Sequence, residues 1–395
     1  MIKSNLRNFP SAQKRREFLE QELDIKLDKI SGFNFPEEQV LGRNIENLIG
    51  STQLPLGVAG PLLIRPGGVK AHLRGVLRYI PLATTEGALV ASVSRGCKAI
   101  AESGGAEVFV EEVGITRGPV FKVKNLKGGL ETKKWIDDHF PDIAKITEQT
   151  SNHLTLKKIG CRLVGRNLFA RFYYDCQEAM GMNMVTIATQ QAIELIEKQT
   201  KAKCISVAGN FDIDKNSAWL NFISGRGKRV WAEVILPKSA VKEVLKTTPQ
   251  KLAEIVYRKC LLGSIMSGSL GFNAHFANIV AAIFAATGQD LAHTVEGSLG
   301  ITTAEVLDNG NLHFSVYLPS LVAGTIGGGT SLPTQQEALK LMKVNGVLEY
   351  AAVTSTAVLA GELSLLASEA EGSLAKAHQQ LGRNQKLKVK SKEVF

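Results

Sequence analysis

The spacing of apolar positions divides the chain into recognisable elements. Behind Pro10-Ser11, the stretch QKRREFLEQELDIKL reads as a capped amphipathic helix. Residues 35–47 are mixed and loop-like, and LPLGVAGPLLI (Leu54 to Ile64) reads as a turn followed by a strand. From Thr84 to Ala101 the period becomes helical. After Gly114 the character changes: GPVFKVKNL and GRNLFARFYY are rich in Val, Phe and Tyr, as strands are. MVTIATQQAIELIE (Met184 to Glu197) has helical period, CISVAGN a short strand, and RVWAEVIL another. Thr248-Pro249 marks a helix start, and Ala-rich helical stretches run on to about Gln380. No internal repeat is visible. The pattern predicts an α+β protein in which a compact unit, about Arg117 to Val207, is inserted within a larger helical-and-sheet unit.

Membrane and secretion signals are not expected. The most apolar run noted, Gly271 to Gly288, is interrupted by Asn273, His275 and Asn278 and reads as a buried helix. No apolar segment follows the charged N-terminus as a signal peptide requires, so a cytoplasmic protein is expected. Five scattered cysteines without a C-x-x-C suggest free thiols, and no metal site is expected. The net charge of +10 suits a polyanionic ligand, yet no nucleic-acid-binding signature accompanies it and aromatics are only 6%. A basic surface that is merely solvated fits equally well.

Candidate chemistry lies in short polar words. Glu86 in TTEG opens a helix-like run with Arg95 and Lys98 beyond it, and can be a proton donor or a simple cap. Lys215, after Asp214 in a loop between strand-like segments, can stabilise an oxyanion or be an exposed loop lysine. Asp290 in ATGQD follows a very apolar helix, as a coupled carboxylate or a turn residue. His378 is a natural acid for a thiolate leaving group, or one surface histidine among seven. Two Gly-containing segments, Glu178 to Asn183 and Gly324 to Thr330, can offer backbone amides to phosphate. Neither matches G-x-G-x-x-G, so a dinucleotide site here is not of Rossmann design.

Taken together, ENLIGSTQLPLGVAGPL, TTEGALVASVSRGCKAI, ITRGPV, AMGMNM, GSLGFNAHFANIV, ATGQD, GTIGGGT and AGELSLLA resemble, in order from about residue 40 to residue 383, the motifs of 3-hydroxy-3-methylglutaryl-CoA (HMG-CoA) reductases, in a class I-like, soluble catalytic form. The resemblance implies an N-terminal helical domain (1–50), a large substrate domain (51–116 and 208–383), an inserted ferredoxin-like NAD(P)-binding domain (117–207) and a basic flexible tail (384–395). It also implies a homodimer or higher homo-oligomer with active sites between subunits. The catalytic set falls on Glu86, Lys215, Asp290 and His378. Substrate contacts fall on Arg95, Lys122, Lys259, His275 and Asn278. Cofactor contacts fall on Ser151, Asn152, Glu178, Met180, Gly181, Met182, Asn183, Gly327, Gly328 and Gly329. The implied reaction is four-electron reduction of HMG-CoA to mevalonate and CoA, with NADPH as cofactor and NADH possible. The alternative is an NAD-dependent enzyme working in the oxidative, mevalonate-degrading direction.

Several positions depart from that pattern. Lys122 stands where many relatives have Arg, which removes a bidentate fork. Glu178 replaces a common Asp, and Ala208 a common Ser. Asn152 stands where an Arg often grips the 2′-phosphate; Lys157, Lys158 or Arg383 can substitute.

Overall fold

The computed structural model describes residues 9–24, 27–28, 31–65 and 77–372 of the 395. His378, Arg383 and the 384–395 tail lie outside the described residues.

Eleven strands are described: β1 (Leu56–Leu63), β2 (Leu77–Ala83), β3 (Glu107–Arg117), β4 (Val120–Lys122), β5 (Thr155–Val164), β6 (Asn167–Asp175), β7 (Lys203–Ser206), β8 (Gly227–Leu236), β9 (Gly271–Phe272), β10 (Gly300–Val306) and β11 (Leu312–Leu321). β1 and β2 form an antiparallel pair. The other nine make one sheet in the order β7-β4-β6-β3-β8-β11-β10-β9, with β5 on β6. The mixed α+β class expected from the pattern is the class observed.

The helix behind Ser11 forms as expected. It spans Ala12–Leu23, and the Ser11 hydroxyl accepts the Lys14 N–H. The helix expected from Met184 begins at Met182, and the Thr248 hydroxyl caps the helix started by Pro249. The helix expected from Thr84 begins later, at Leu89, because Ala88 is left-handed (φ 75°). Glu86 therefore lies ahead of the helix and does not cap it. The longest helix among the described residues, Val347–Glu371, is buried nearly all round. It can cross so close to the Leu89–Glu102 helix because Gly96 faces it: a Cβ there would lie 1.9 Å from the Ala360 carbonyl oxygen.

Among the described residues two hydrophobic cores result. The larger gathers β1, β2, the β8–β11 sheet and the long helices, including Val93, Ile279, Phe314 and Leu359. The smaller gathers residues from Ile115 to Ala202, with Val322 alone from further along. Around it β4, β5, β6 and β7 run in the order β7-β4-β6-β5, all antiparallel, with helices between β4 and β5 and between β6 and β7. This is the β-α-β-β-α-β arrangement of ferredoxin-like folds. β3 joins the two cores. Its first part pairs with β8, its last three residues with β6, and the register shifts between Glu112 and Gly114. At Gly114 (φ 104°) a Cβ would meet the Tyr174 carbonyl oxygen at 2.9 Å, so glycine permits the crossing. The expected boundary at 116/117 thus falls inside this strand.

Candidate active site

Lys215 and Asp290 meet. The lysine Nζ lies 2.8 Å from Asp290 Oδ2, with the two side chains 43% and 34% exposed. The Asp290 hydrogen bond, opposed by partial burial, raises the Lys215 pKa above its ordinary value. Burial pushes Asp290 the other way from its partners. The Lys215 ammonium, the Ala292 amide and nearby His293 outweigh it and hold the carboxyl below the usual carboxylate range. The pair is charged, at the edge of solvent, and able to present a cation to a developing oxyanion.

The glycine words hold the Asp290 turn. The apolar Phe276–Thr287 helix ends at left-handed Gly288, whose missing Cβ would lie 2.3 Å from the Gly329 carbonyl oxygen. Gln289 exchanges two hydrogen bonds with the Gly324 backbone, at 2.9 and 3.0 Å. Gly324 in turn packs on the Met180 amide, where a Cβ would come within 2.4 Å. Three motifs scattered along the chain, AMGMNM, ATGQD and GTIGGGT, therefore converge. Gly181 (φ 85°) precedes the Met182–Gln199 helix, which no side chain caps, and Asn183 is exposed. Gly327 and Gly328 are exposed with open space where a Cβ would stand. These features form a backbone-lined cradle that suits a pyrophosphate.

A buried hub, absent from the sequence expectations, supports this site. Arg226 is fully buried. Its guanidinium bonds Glu296 Oε1 (2.6 Å), Asp214 Oδ1 (2.9 Å), Thr116 Oγ1 (2.9 Å) and Met182 Sδ (2.9 Å). Glu296 is also fully buried and accepts the Lys215 backbone N–H at 2.8 Å. Buried His293 places Nδ1 3.3 Å from Glu296 and Nε2 3.8 Å from Asp290. The glycines flanking Arg226 were the only sequence signal, and they do not reveal four partners. Asp214, His293 and Glu296 also have the spacing of metal ligands, within 4.8 Å of one another. The Arg226 guanidinium already neutralises two of them.

Glu86 belongs to a second cluster. Its carboxylate accepts from Asn278 Nδ2 (3.2 Å), and Asn278 Nδ2 lies 3.5 Å from His275 Nδ1. Buried Glu362, within AGELSLLA, takes the amides of Ala274 and His275 and the Thr302 hydroxyl, fixing the turn that carries His275. Among the described residues no hydrogen bond or ion pair joins Glu86 to Lys215 or Asp290. Arg95 is half-buried and bonds Ser364 and Ser368, and burial lowers its pKa. Lys259 pairs with Glu369 on the same long helix. Lys122 is exposed at the end of β4. Arg95 and Lys259 thus flank the last turns of the Val347–Glu371 helix.

Two cofactor candidates have local roles. The Glu178 carboxylate accepts the Val347 N–H (2.6 Å) and the Thr325 hydroxyl (2.9 Å), capping the long helix from a distance. Ser151 accepts the His153 N–H, beside exposed Asn152. Lys157 reaches the Glu112 carbonyl and Lys158 sits 4.2 Å over the Tyr173 ring, so both candidate substitutes for a phosphate-gripping Arg are engaged elsewhere.

Residues 11–383 match the family described as hydroxymethylglutaryl-coenzyme A reductase. The chain is 49% identical over 378 residues to the 3-hydroxy-3-methylglutaryl-coenzyme A reductase of Methanocaldococcus jannaschii, covering 93% of this chain and 92% of that one. It is 42% identical over 386 residues to reductase 3 of Oryza sativa subsp. japonica, covering 94% of this chain and 67% of that one. A class II reductase of Streptococcus pneumoniae, solved bound to NADPH in open conformations, shares the fold with a TM-score of 0.69 at 17% identity, over 91% of this chain and 97% of that one. With motifs, fold and relatives in agreement along nearly the whole chain, it belongs to the hydroxymethylglutaryl-coenzyme A reductase family.

Proposed function

We propose that this chain reduces HMG-CoA to mevalonate and CoA by two hydride transfers, and that Lys215 carries the reaction. The supporting observation is the charged Lys215–Asp290 pair, anchored from behind by Glu296 and Arg226. Negative charge develops on one substrate oxygen in each reduction, and a fixed ammonium stabilises it more than the neutral carbonyl. Asp290 keeps that ammonium charged and aimed. Glu86, oriented by Asn278, supplies a proton as the aldehyde is reduced. His378 is assigned the protonation of the leaving CoA thiolate. Arg95, Lys122, Lys259, His275 and Asn278 are assigned to the substrate.

A bound nicotinamide supplies the hydrides. The residues proposed to hold it are Gly327, Gly328, Gly329, Met180, Gly181, Met182 and Asn183, with Ser151, Asn152 and Glu178 at the margins. The uncapped helix and the open glycine turn fit its pyrophosphate. NADPH is the proposed cofactor, in line with the S. pneumoniae relative solved with it. NADH is the competing reading, favoured by neutral Asn152 and by the engagement of Lys157 and Lys158. At 17% identity the class II neighbour shares the fold alone, and the class I-like assignment rests on the sequence motifs.

We further propose that residues 117–207 form the cofactor domain and that the enzyme is a homo-oligomer with shared active sites. Exposed Leu54, Leu56, Val58 and Tyr79 support that assembly. A cytoplasmic location without membrane or nucleic-acid partners completes the proposal. The Val347–Glu371 helix is long and apolar enough to span a bilayer, but its apolar window is 94% buried within the protein.

Spectrophotometric oxidation of NADPH and NADH with HMG-CoA tests the reading. Turnover with NADPH supports the assignment. An advantage for NADH of about tenfold (about 1.4 kcal/mol) transfers the cofactor to NADH, and no thioester reduction with either refutes the function. Asn152→Arg is expected to shift preference toward NADPH by about tenfold, the effect of one new phosphate contact.

A further inference from the structure

The loop leading to Lys215 is held in an unfavourable shape. Asn210, Ile213 and Lys215 have φ of 60°, 55° and 59°, a left-handed region that L residues avoid and a β-branched residue avoids most. Such a loop persists only where its surroundings over-determine it. Here they do. The Thr116 hydroxyl donates to the Asp212 carbonyl at 2.8 Å, Arg117 pairs with the Asp212 carboxylate at 3.0 Å, and Asn221 Nδ2 donates to the Ile213 carbonyl at 3.0 Å. Arg226 holds Asp214, and Glu296 accepts the N–H of Lys215 itself.

Building on the function proposed above, we infer that Glu296, locked by Arg226, is the positioning residue of this active site. It fixes the Lys215 backbone so that the ammonium reaches Asp290 and the reacting oxygen. A lysine side chain has four flexible carbons, so its direction is set only if its Cα is set. Glu296 does this with one oxygen that receives two donors, the Lys215 N–H and Arg226 Nη1. A carboxylate this buried is tolerated because the guanidinium is beside it. The same guanidinium reaches Met182, the first residue of the helix assigned to the cofactor. One buried ion pair therefore references the lysine, the Asp290 turn and the cofactor helix to one another.

The test uses Glu296→Ala, Glu296→Gln and Arg226→Lys in the full-length enzyme. In Glu296→Ala, kcat is expected to fall about 100-fold, the cost of misplacing a reacting group by an ångström, while KM for thioester and cofactor changes less than about threefold. Glu296→Gln keeps an oxygen for both donors and should recover kcat to within about tenfold of wild type. An activity-independent measurement runs beside this. Competitive acetylation read by peptide mass spectrometry should label Lys215 at least about fivefold faster in Glu296→Ala, relative to exposed Lys127, because the Asp290 pairing that withholds its lone pair is lost. If Glu296→Ala does not fold, Arg226→Lys takes its place with the same expected directions. Unchanged Lys215 labelling, or kcat within threefold of wild type, overturns the inference, as does a Gln variant no better than Ala. If the wild type shows no reductase activity, the functional proposal fails and the labelling result alone decides the positioning.

Discussion

Replacing Asp290 by Asn separates what the Lys215–Asp290 contact does for stability from what it does for catalysis. The two side chains are 43% and 34% exposed, so solvent screens their 2.8 Å attraction. Pairs exposed to this degree contribute about 0.2–1 kcal/mol, and the substitution keeps an acceptor oxygen, so the loss sits near the lower end. In a protein of this length that lowers the thermal midpoint by about 2 °C or less. The catalytic loss is larger, because the ammonium acts on charge that exists only in the transition state. Loss of one preorganised electrostatic group costs about 3 kcal/mol, a kcat decrease on the order of 100-fold. The pH profile supplies a second signature. Lys215 has a raised pKa through Asp290, so its paired state persists at neutral pH and is lost as pH rises through that raised value. Asp290 has a lowered pKa, so its contribution holds above the ordinary carboxylate range and is lost as pH falls through the lowered value. In Asp290→Asn the alkaline limb of kcat should move to lower pH. Steady-state kinetics from mildly acidic to strongly alkaline pH, with scanning calorimetry on the same preparations, make the comparison. A variant within threefold of wild-type kcat with an unmoved alkaline limb would falsify the role given to the pair.

Other substitutions probe the supports. Gly288→Ala drives a Cβ into the Gly329 carbonyl at a left-handed position; it should cost about 1–3 kcal/mol in denaturant titrations and lower kcat by separating the Asp290 turn from the glycine loop. Glu178→Ala removes the carboxylate that caps Val347 and should lower stability by about 0.5–2 kcal/mol, while cofactor KM reports any direct contact. Alkylation of the native protein should modify Cys204 first. The other four cysteines are buried, and burial pushes the thiols of Cys97, Cys161, Cys176 and Cys260 up to about 12. Early labelling of any of those four, tracked by mass spectrometry, would contradict the packing described.

Much of the architecture was legible because local physics controls it. Ser11 and Thr248 mark helix starts through their hydroxyls, and the Val/Phe/Tyr-rich words became β4 and β6. The helical run expected from Thr248 to about Gln380, however, is broken by β9, β10 and β11, the last two built from alternating, β-branched words. Glu86 was misplaced relative to its helix because the left-handed turn at Ala88 leaves no signature in residue type. The burial of the Val347–Glu371 helix was equally hidden. Its small Ala, Ser and Gly residues have little amphipathic contrast, and the close approach that Gly96 permits comes from the other helix.

Residue identity and order were enough for the family, for the Lys and Asp that carry charge, and for glycines where the backbone turns sharply. Those features depend on a residue and its near neighbours. The tertiary structure alone decided that Lys215 faces Asp290 across 75 positions of chain (290 minus 215), that Glu178 caps a helix rather than standing free, and that Arg226 and Glu296 stand behind the lysine. A buried arginine with four partners is written in the sequence as one arginine among many. Only folding removes the water that would otherwise satisfy it, and so makes each of those contacts necessary.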